Sequence, residues 1–189
     1  MTDQNHIHLS DIQLIDLIIK EKKTCFFEIL YRRYHKKVRD KCCSILKDRD
    51  MAEEFTLEIF SRVYEKMESF RKDASFSSWL YAITYNHCIE YLRHKKDLHY
   101  PDWNRENLLP DVIDDISEEN MADIKYERLQ KVLDMIHPEE KALLLMKYQD
   151  NIPVKLIMST FRISESAAKM RIKRARSRVQ HMYNQLYKD

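Results

Sequence analysis

The 189-residue sequence contains no glycine and four prolines (Pro101, Pro110, Pro138 and Pro153). Tight β-hairpins built on glycine turns are therefore hard to form, and long uninterrupted helices are easy. No apolar run approaches the length of a bilayer span: the longest, around Leu14–Ile19, is short and flanked by charge. Met-Thr-Asp-Gln is not the start of a secretory leader, and the expectation is a cytoplasmic protein. Cys25, Cys42, Cys43 and Cys88 form no CxxC pair, which leaves reduced, mostly buried thiols rather than a zinc site or a disulfide frame. What is present, 44% apolar and 34% charged residues, suits an all-α fold with its own core.

The net charge of +2 conceals a segregation along the chain. Between Asp97 and Ile124 nine acids face a single arginine, whereas between Arg162 and Arg178 seven bases face a single glutamate. An acidic middle and a basic end call for different partners.

Helical punctuation organises the chain. Ser10 and Gln13 form a capping box, and Phe27, Leu30, Tyr34, Val38, Cys42 and Ile45 then make one apolar stripe. A third helix is expected to start at Asp50 and to bury Ala52, Phe55, Ile59, Val63 and Met67. Its outer face carries Glu53, Glu54, Leu57 and Glu58, acids around one exposed leucine, which suits a docking surface. After a loop at Arg71–Ser75, Ser75 caps a ring-rich helix. Phe76, Trp79, Leu80, Ile83, His87 and Tyr91 share its core side, and His87 reads as a satisfied core histidine. Ala82, Asn86, Ile89, Arg93 and Lys96 form a second stripe, an amide followed by cations, expected to be exposed and suited to a nucleic-acid strand.

Residues 97–122 have two prolines and little periodicity and read as an acidic linker. It divides an N-terminal domain, residues 1–96, from a C-terminal one, residues 123–189. In the latter, IPVKLIMSTFRISESAAKMRIKRARSRVQHMY has the pattern of a helix-turn-helix: a short apolar helix, a turn at Phe161–Ile163 and a Ser164-capped basic helix. The basic helix buries Ala168, Ile172, Ala175 and Val179 and presents Ser166, Lys169, Met170, Lys173 and Ser177 on the opposite face, as a helix in a major groove requires. Duplex DNA is the expected ligand.

Together the acidic docking helix, SFRKDASFSSWLYAITYNHCIEYLRHKK, the linker and KALLLMKYQDNIPVKLIMSTFRISESAAKMRIKRAR resemble a bacterial RNA polymerase sigma factor of the extracytoplasmic-function group, over residues 10 to about 185. The resemblance implies two domains, equivalent to sigma regions 2 and 4. It implies that Glu53, Glu54, Leu57 and Glu58 dock on the beta-prime clamp helices of core polymerase, with the beta flap as a second contact. It further implies that Lys72, Asp73, Ala74, Ser75 and Phe76 capture a flipped base of the minus-ten element, with Asn86, Arg93 and Lys96 along that strand. The helix from Ser164 would read the minus-thirty-five element through Ser166, Lys169, Met170 and Lys173, with Arg171, Arg174 and Arg176 on phosphates. An anti-sigma factor is a possible further partner; no cofactor, metal or catalytic residue is implied. The chain departs from the family pattern at Leu57, where glutamine is usual, at Met51, where aspartate is usual, and at Arg162, often a glycine.

Two other classes compete. A stand-alone helix-turn-helix regulator would account for the basic helix but leaves the Arg71–Ser75 loop and the Asn86 stripe without a role. A di-iron helical enzyme needs Glu-x-x-His motifs, and none of the eight histidines has a glutamate three residues before it.

Overall fold

The computed structural model describes residues 8–96 and 125–187, and the described residues contain helices and turns but no strand. The acidic linker lies outside them. The N-terminal half is built from α1 (Asp11–Glu21), α2 (Thr24–Leu46), α3 (Arg49–Glu65), a 3-10 turn at Met67–Ser69 and α4 (Phe76–Lys96). The C-terminal half comprises α5 (Tyr126–Met135), α6 (Pro138–Leu144), a π-helical segment at Leu145–Gln149, α7 (Val154–Phe161) and α8 (Glu165–Tyr187).

The Ser10–Gln13 capping box forms as expected, the Gln13 N–H donating to Ser10 Oγ at 3.3 Å and the Ser10 N–H to Gln13 Oε1 at 2.9 Å. On α2 it is Phe26, not Phe27, that is fully buried with Leu30, Val38, Cys42 and Ile45. Phe27 turns sideways onto the rings of Phe60 and Tyr64, centroids 6.1 and 5.0 Å away. The start of α3 is two residues earlier than the sequence suggested: Asp48 is the cap, accepting the Met51 N–H at 3.0 Å, and Asp50 sits inside the first turn. Either aspartate offers a capping oxygen, and Asp48 is the one with extended backbone.

Without glycine, left-handed positions fall to other residues. Lys22, Lys47, Lys72, Asn151 and Arg162 all have positive φ, and Lys22, Lys47 and Arg162 are the C-caps of α1, α2 and α7. Arg162 at φ 54° and ψ 47° occupies the conformation that a glycine usually supplies. At a helix C-terminus a cation also faces the negative end of the helix dipole, a partial offset to the steric cost.

The core runs across both halves. α4 packs on α2 and α3 at one side and on α6 and α7 at the other. Leu143, Met146, Ile152, Ile157 and Phe161 share one apolar cluster with Leu30, Ile59, Leu80 and Tyr85. Burying each such side chain contributes about 1.5–3 kcal/mol. A second, smaller cluster joins Val132 and Leu133 of α5 and Ile136 just after it to Ala175, Val179 and Tyr183 of α8.

Candidate nucleic-acid interface and docking face

Three surfaces carry the residues singled out by sequence. On α3, Glu53, Glu54, Leu57 and Glu58 are all exposed, and Leu57 is 60% accessible although its neighbours Phe55, Thr56, Ile59 and Phe60 are buried. Glu58 Oε2 lies 2.9 Å from His87 Nε2 of α4, though not aligned for a hydrogen bond. His87 is buried against the Phe55 ring and belongs to the core, as its spacing implied. Burial, with the Arg62 charge, lowers its pKa below the usual imidazole value.

The loop before α4 exposes Arg71, Lys72, Asp73 and Ser75 and half-buries Ala74. Ser75 caps α4, accepting the Ser78 N–H at 3.1 Å. Lys72, at φ 58°, ties the loop to α1 through an ion pair with Asp16. Phe76 does not stand open to a ligand: it is 2% exposed, edge-on to Tyr34 at 5.5 Å and to Phe70 at 6.0 Å. It anchors the loop on the core, and the exposed part of the loop lies before it.

The stripe on α4 departs furthest from expectation. Ala82 and Ile89 are buried, Asn86 is half-buried, and Arg93 donates from Nε to Glu139 Oε1 of α6 at 2.6 Å. Tyr85 donates its hydroxyl to Asp150 Oδ2 at 2.8 Å, and Glu90 lies 3.8 Å from Arg162 at the end of α7. At about 100° per residue, Ala82, Asn86 and Ile89 fall between these contacts. The α6–α7 edge of the C-terminal half therefore sits on the stripe. The side chain of Lys96 lies outside the described residues.

On α8 the expected division is present. Ser164 caps the helix, accepting the Ala167 N–H at 3.2 Å. Ala168, Ile172, Ala175 and Val179 are buried, while Ser166, Lys169, Met170, Lys173 and Arg174 are exposed. Met170 is 47% accessible, a large apolar side chain between cations. Lys169 pairs with Glu165 one turn earlier at 2.6 Å. Arg176 and Ser177 are half-buried; Arg171 is drawn toward the core, its Nη1 3.9 Å from Glu139 Oε2.

Beneath these surfaces lies a set of charges that the sequence reading missed. Glu139, Glu140 and Lys141 are 1%, 1% and 4% exposed. Arg178 Nε donates to Glu140 Oε1 at 3.2 Å, and Lys141 Nζ donates to the Ser44 carbonyl at 2.6 Å and to Asp134 Oδ1 at 2.8 Å. Burial raises the Glu140 carboxyl above its ordinary pKa despite Arg178. Among the described residues no three histidine, cysteine or acidic side chains gather as a metal site, and no helix is long and apolar enough to cross a membrane.

Residues 30–97, which hold α3, the loop and α4, match the family Sigma-70 region 2. Three relatives from Bacillus subtilis (strain 168) extend the likeness beyond that segment. ECF RNA polymerase sigma factor SigX is 23% identical over 76% of this chain and 76% of its own length. SigM is 27% identical over 82% and 93%, and SigW 26% over 81% and 86%. Together these findings support an extracytoplasmic-function sigma factor of the sigma-70 family. The fold agrees: the sigma factor RpoE of Bartonella quintana, solved in complex with the anti-sigma factor NepR, superposes with a TM-score of 0.56 at 16% identity, over 82% of this chain and 94% of that one. In this sigma factor the Leu57 face and the outer face of α8 are open, whereas the α4 stripe is covered.

Proposed function

We propose that this sigma factor binds core RNA polymerase, directs it to a particular set of promoters and helps open the duplex there. It works in the cytoplasm, beside polymerase and DNA, and carries out no reaction of its own. The observation that carries the DNA half of the reading is the α8 face: Ser166, Lys169, Met170 and Lys173 stand exposed on one side of a capped helix whose other side is core. Such a helix enters a major groove with hydroxyl and ammonium groups toward base edges, with Arg174 and Arg176 as phosphate contacts and Arg171 joining them once it leaves Glu139.

The N-terminal domain, residues 1–96, takes the docking and melting roles. Glu53, Glu54 and Glu58 around Leu57 suit a basic helical partner with one apolar socket, the chemistry expected of the polymerase clamp helices. Opening a duplex needs no covalent step: it needs a site that compensates unstacking and unpairing. The exposed Lys72–Ser75 loop supplies polar and backbone groups for a flipped base, and Asn86, Arg93 and Lys96 supply an amide and cations along the strand. The acidic segment 97–122 links this domain to the helix-turn-helix domain, 123–189, whose second polymerase contact is the beta flap. A protein inhibitor of the anti-sigma kind is part of the proposal, by analogy with the complex of RpoE with NepR.

Size-exclusion chromatography with sigma-free core polymerase, followed by transcription from a mixed promoter library, tests the reading. Co-elution with new start sites is the expected result. Lys169→Ala and Lys173→Ala should each weaken use of the upstream element and relax its sequence preference, whereas Arg174→Ala should lower the salt slope of DNA binding by about one counterion. Dimeric binding to duplex DNA without any polymerase association would replace the sigma reading by a stand-alone regulator.

A further inference from the structure

Among the charged contacts between the two halves of the chain, one pair is almost fully withdrawn from water. Lys41 of α2 reaches Asp150 across the interface, Nζ to Oδ1 at 2.6 Å, with side-chain exposures of 12% and 7%. The same ammonium lies 4.3 Å from the centre of the Tyr81 ring, and Tyr85 donates to the second Asp150 oxygen. The π-helical segment positions this aspartate: the Asp150 N–H bonds back five residues to the Leu145 carbonyl at 3.0 Å. Elsewhere on the same interface, Glu139 receives Arg93 from α4 and faces Arg171 from α8. One carboxylate thus stands between two arginines, one from each DNA-contacting helix.

That arrangement is what a phosphate group would make with the same two side chains: a buried anion between guanidinium groups. It is also incomplete. Glu139 Oε2 is buried with no hydrogen bond, since Arg171 approaches only to 3.9 Å. A buried oxygen without a donor disfavours the closed state, so the interface is built to hold but also to yield.

We propose that the closed arrangement is a self-shielded state of the free protein, in which Glu139 stands in for a nucleic-acid phosphate and the Lys41–Asp150–Tyr85 contact latches the C-terminal half over the strand-binding face of α4. The shielding is selective. The Leu57 face and the outer face of α8 remain open in the closed form, so a protein partner can dock on α3, and duplex DNA on α8, before α4 is uncovered. Single-stranded DNA must wait for opening. This order of events rests on the DNA-binding role proposed above for α4; the latch itself does not.

Charge reversal across the latch separates the two. Lys41→Asp and Asp150→Lys each place like charges together, and the double variant restores an opposite pair with Tyr85 still able to bond. Small-angle X-ray scattering of the free full-length chain should show expansion in each single variant and return to the compact form in the double. Fluorescence anisotropy with a mixed-sequence, labelled single strand should show about tenfold or greater tightening in the single variants and none in the double, because apparent affinity scales with the fraction of open molecules. Duplex binding through α8 should stay level throughout. Circular dichroism confirms that each variant keeps its helices, and Glu139→Gln, an isosteric change, provides a second route to opening if a reversal unfolds the chain. Single variants that remain compact would overturn the latch. Expanded variants with unchanged single-strand affinity would overturn the shielding, and a double variant that stays open would assign the closure to other contacts. Because scattering involves neither polymerase nor DNA, failure of the sigma reading would appear separately, as absence of core polymerase binding.

Discussion

Replacing Arg178 by methionine leaves Glu140 as a carboxylate that is 1% exposed and has lost its nearest cation. Methionine is close to arginine in stem length, so the change removes charge more than volume. Breaking a buried pair from one side costs about 3–5 kcal/mol. For a chain of this size that corresponds to a fall in Tm of roughly 6–20 °C. The loss must depend on pH. Burial already holds the Glu140 carboxyl above its ordinary value of 4.5 with Arg178 beside it, and without Arg178 it rises further. A group whose folded pKa is raised contributes stability below its unfolded pKa and loses it as pH rises through the folded value. The penalty in Arg178→Met is therefore largest at neutral pH and shrinks on acidification toward pH 5. Urea unfolding at both pH values, followed by circular dichroism, measures it. The double variant Glu140→Met with Arg178→Met should recover most of the loss, because an apolar pair of similar volume is often neutral or stabilising. A single variant within about 1 kcal/mol of the parent, or a loss equal at the two pH values, would refute the assignment of Glu140 as a buried, charge-compensated group.

Smaller effects are expected elsewhere. Ser164→Ala removes the cap of α8 and should cost about 1 kcal/mol, read as a lower urea midpoint. Leu57→Glu changes a side chain that is 60% exposed, so stability should move by less than about 0.5 kcal/mol while binding to core polymerase, measured by co-elution, falls. Arg162→Val places a β-branched residue at positive φ and should destabilise by more than about 1 kcal/mol in a thermal melt, whereas lysine at that site should be tolerated.

How far the sequence could be read depends on where each residue finds its partners. The α8 cap and its buried positions were legible because both are local: Ser164 reaches a backbone three residues on, and Ala168, Ile172, Ala175 and Val179 repeat at helical spacing. The Asp48 cap was misplaced because the helical pattern around it is compatible with either aspartate. Glu139, Glu140 and Lys141 were passed over because acids after a proline read as an ordinary solvated first turn. Their partners Arg93, Arg178 and the Ser44 carbonyl come from 46, 38 and 97 residues away. On α4 the failure is one of periodicity. Tyr81, Tyr85, Cys88 and Leu92 are buried in addition to Phe76, Leu80 and His87, so nearly the whole circumference is core. A helix enclosed on two sides has no single stripe to find, and a small-and-amide stripe between aromatic ones looks exposed when it is an interface.

The absence of glycine has a consequence for the molecule before it folds. At Lys22, Lys47 and Arg162 the native backbone accepts a left-handed turn that disfavours a side chain by about 1–2 kcal/mol each. The same side chains narrow the conformations open to the denatured chain, an effect of about 0.4–1 kcal/mol per position in the opposite direction. Substituting glycine at these caps would relieve the folded state by about twice as much as it loosens the unfolded one, so the unfolded-state effect offsets about half of the relief. The sequence thus places part of its stability in the restricted ensemble from which folding starts, where no contact in the native structure records it.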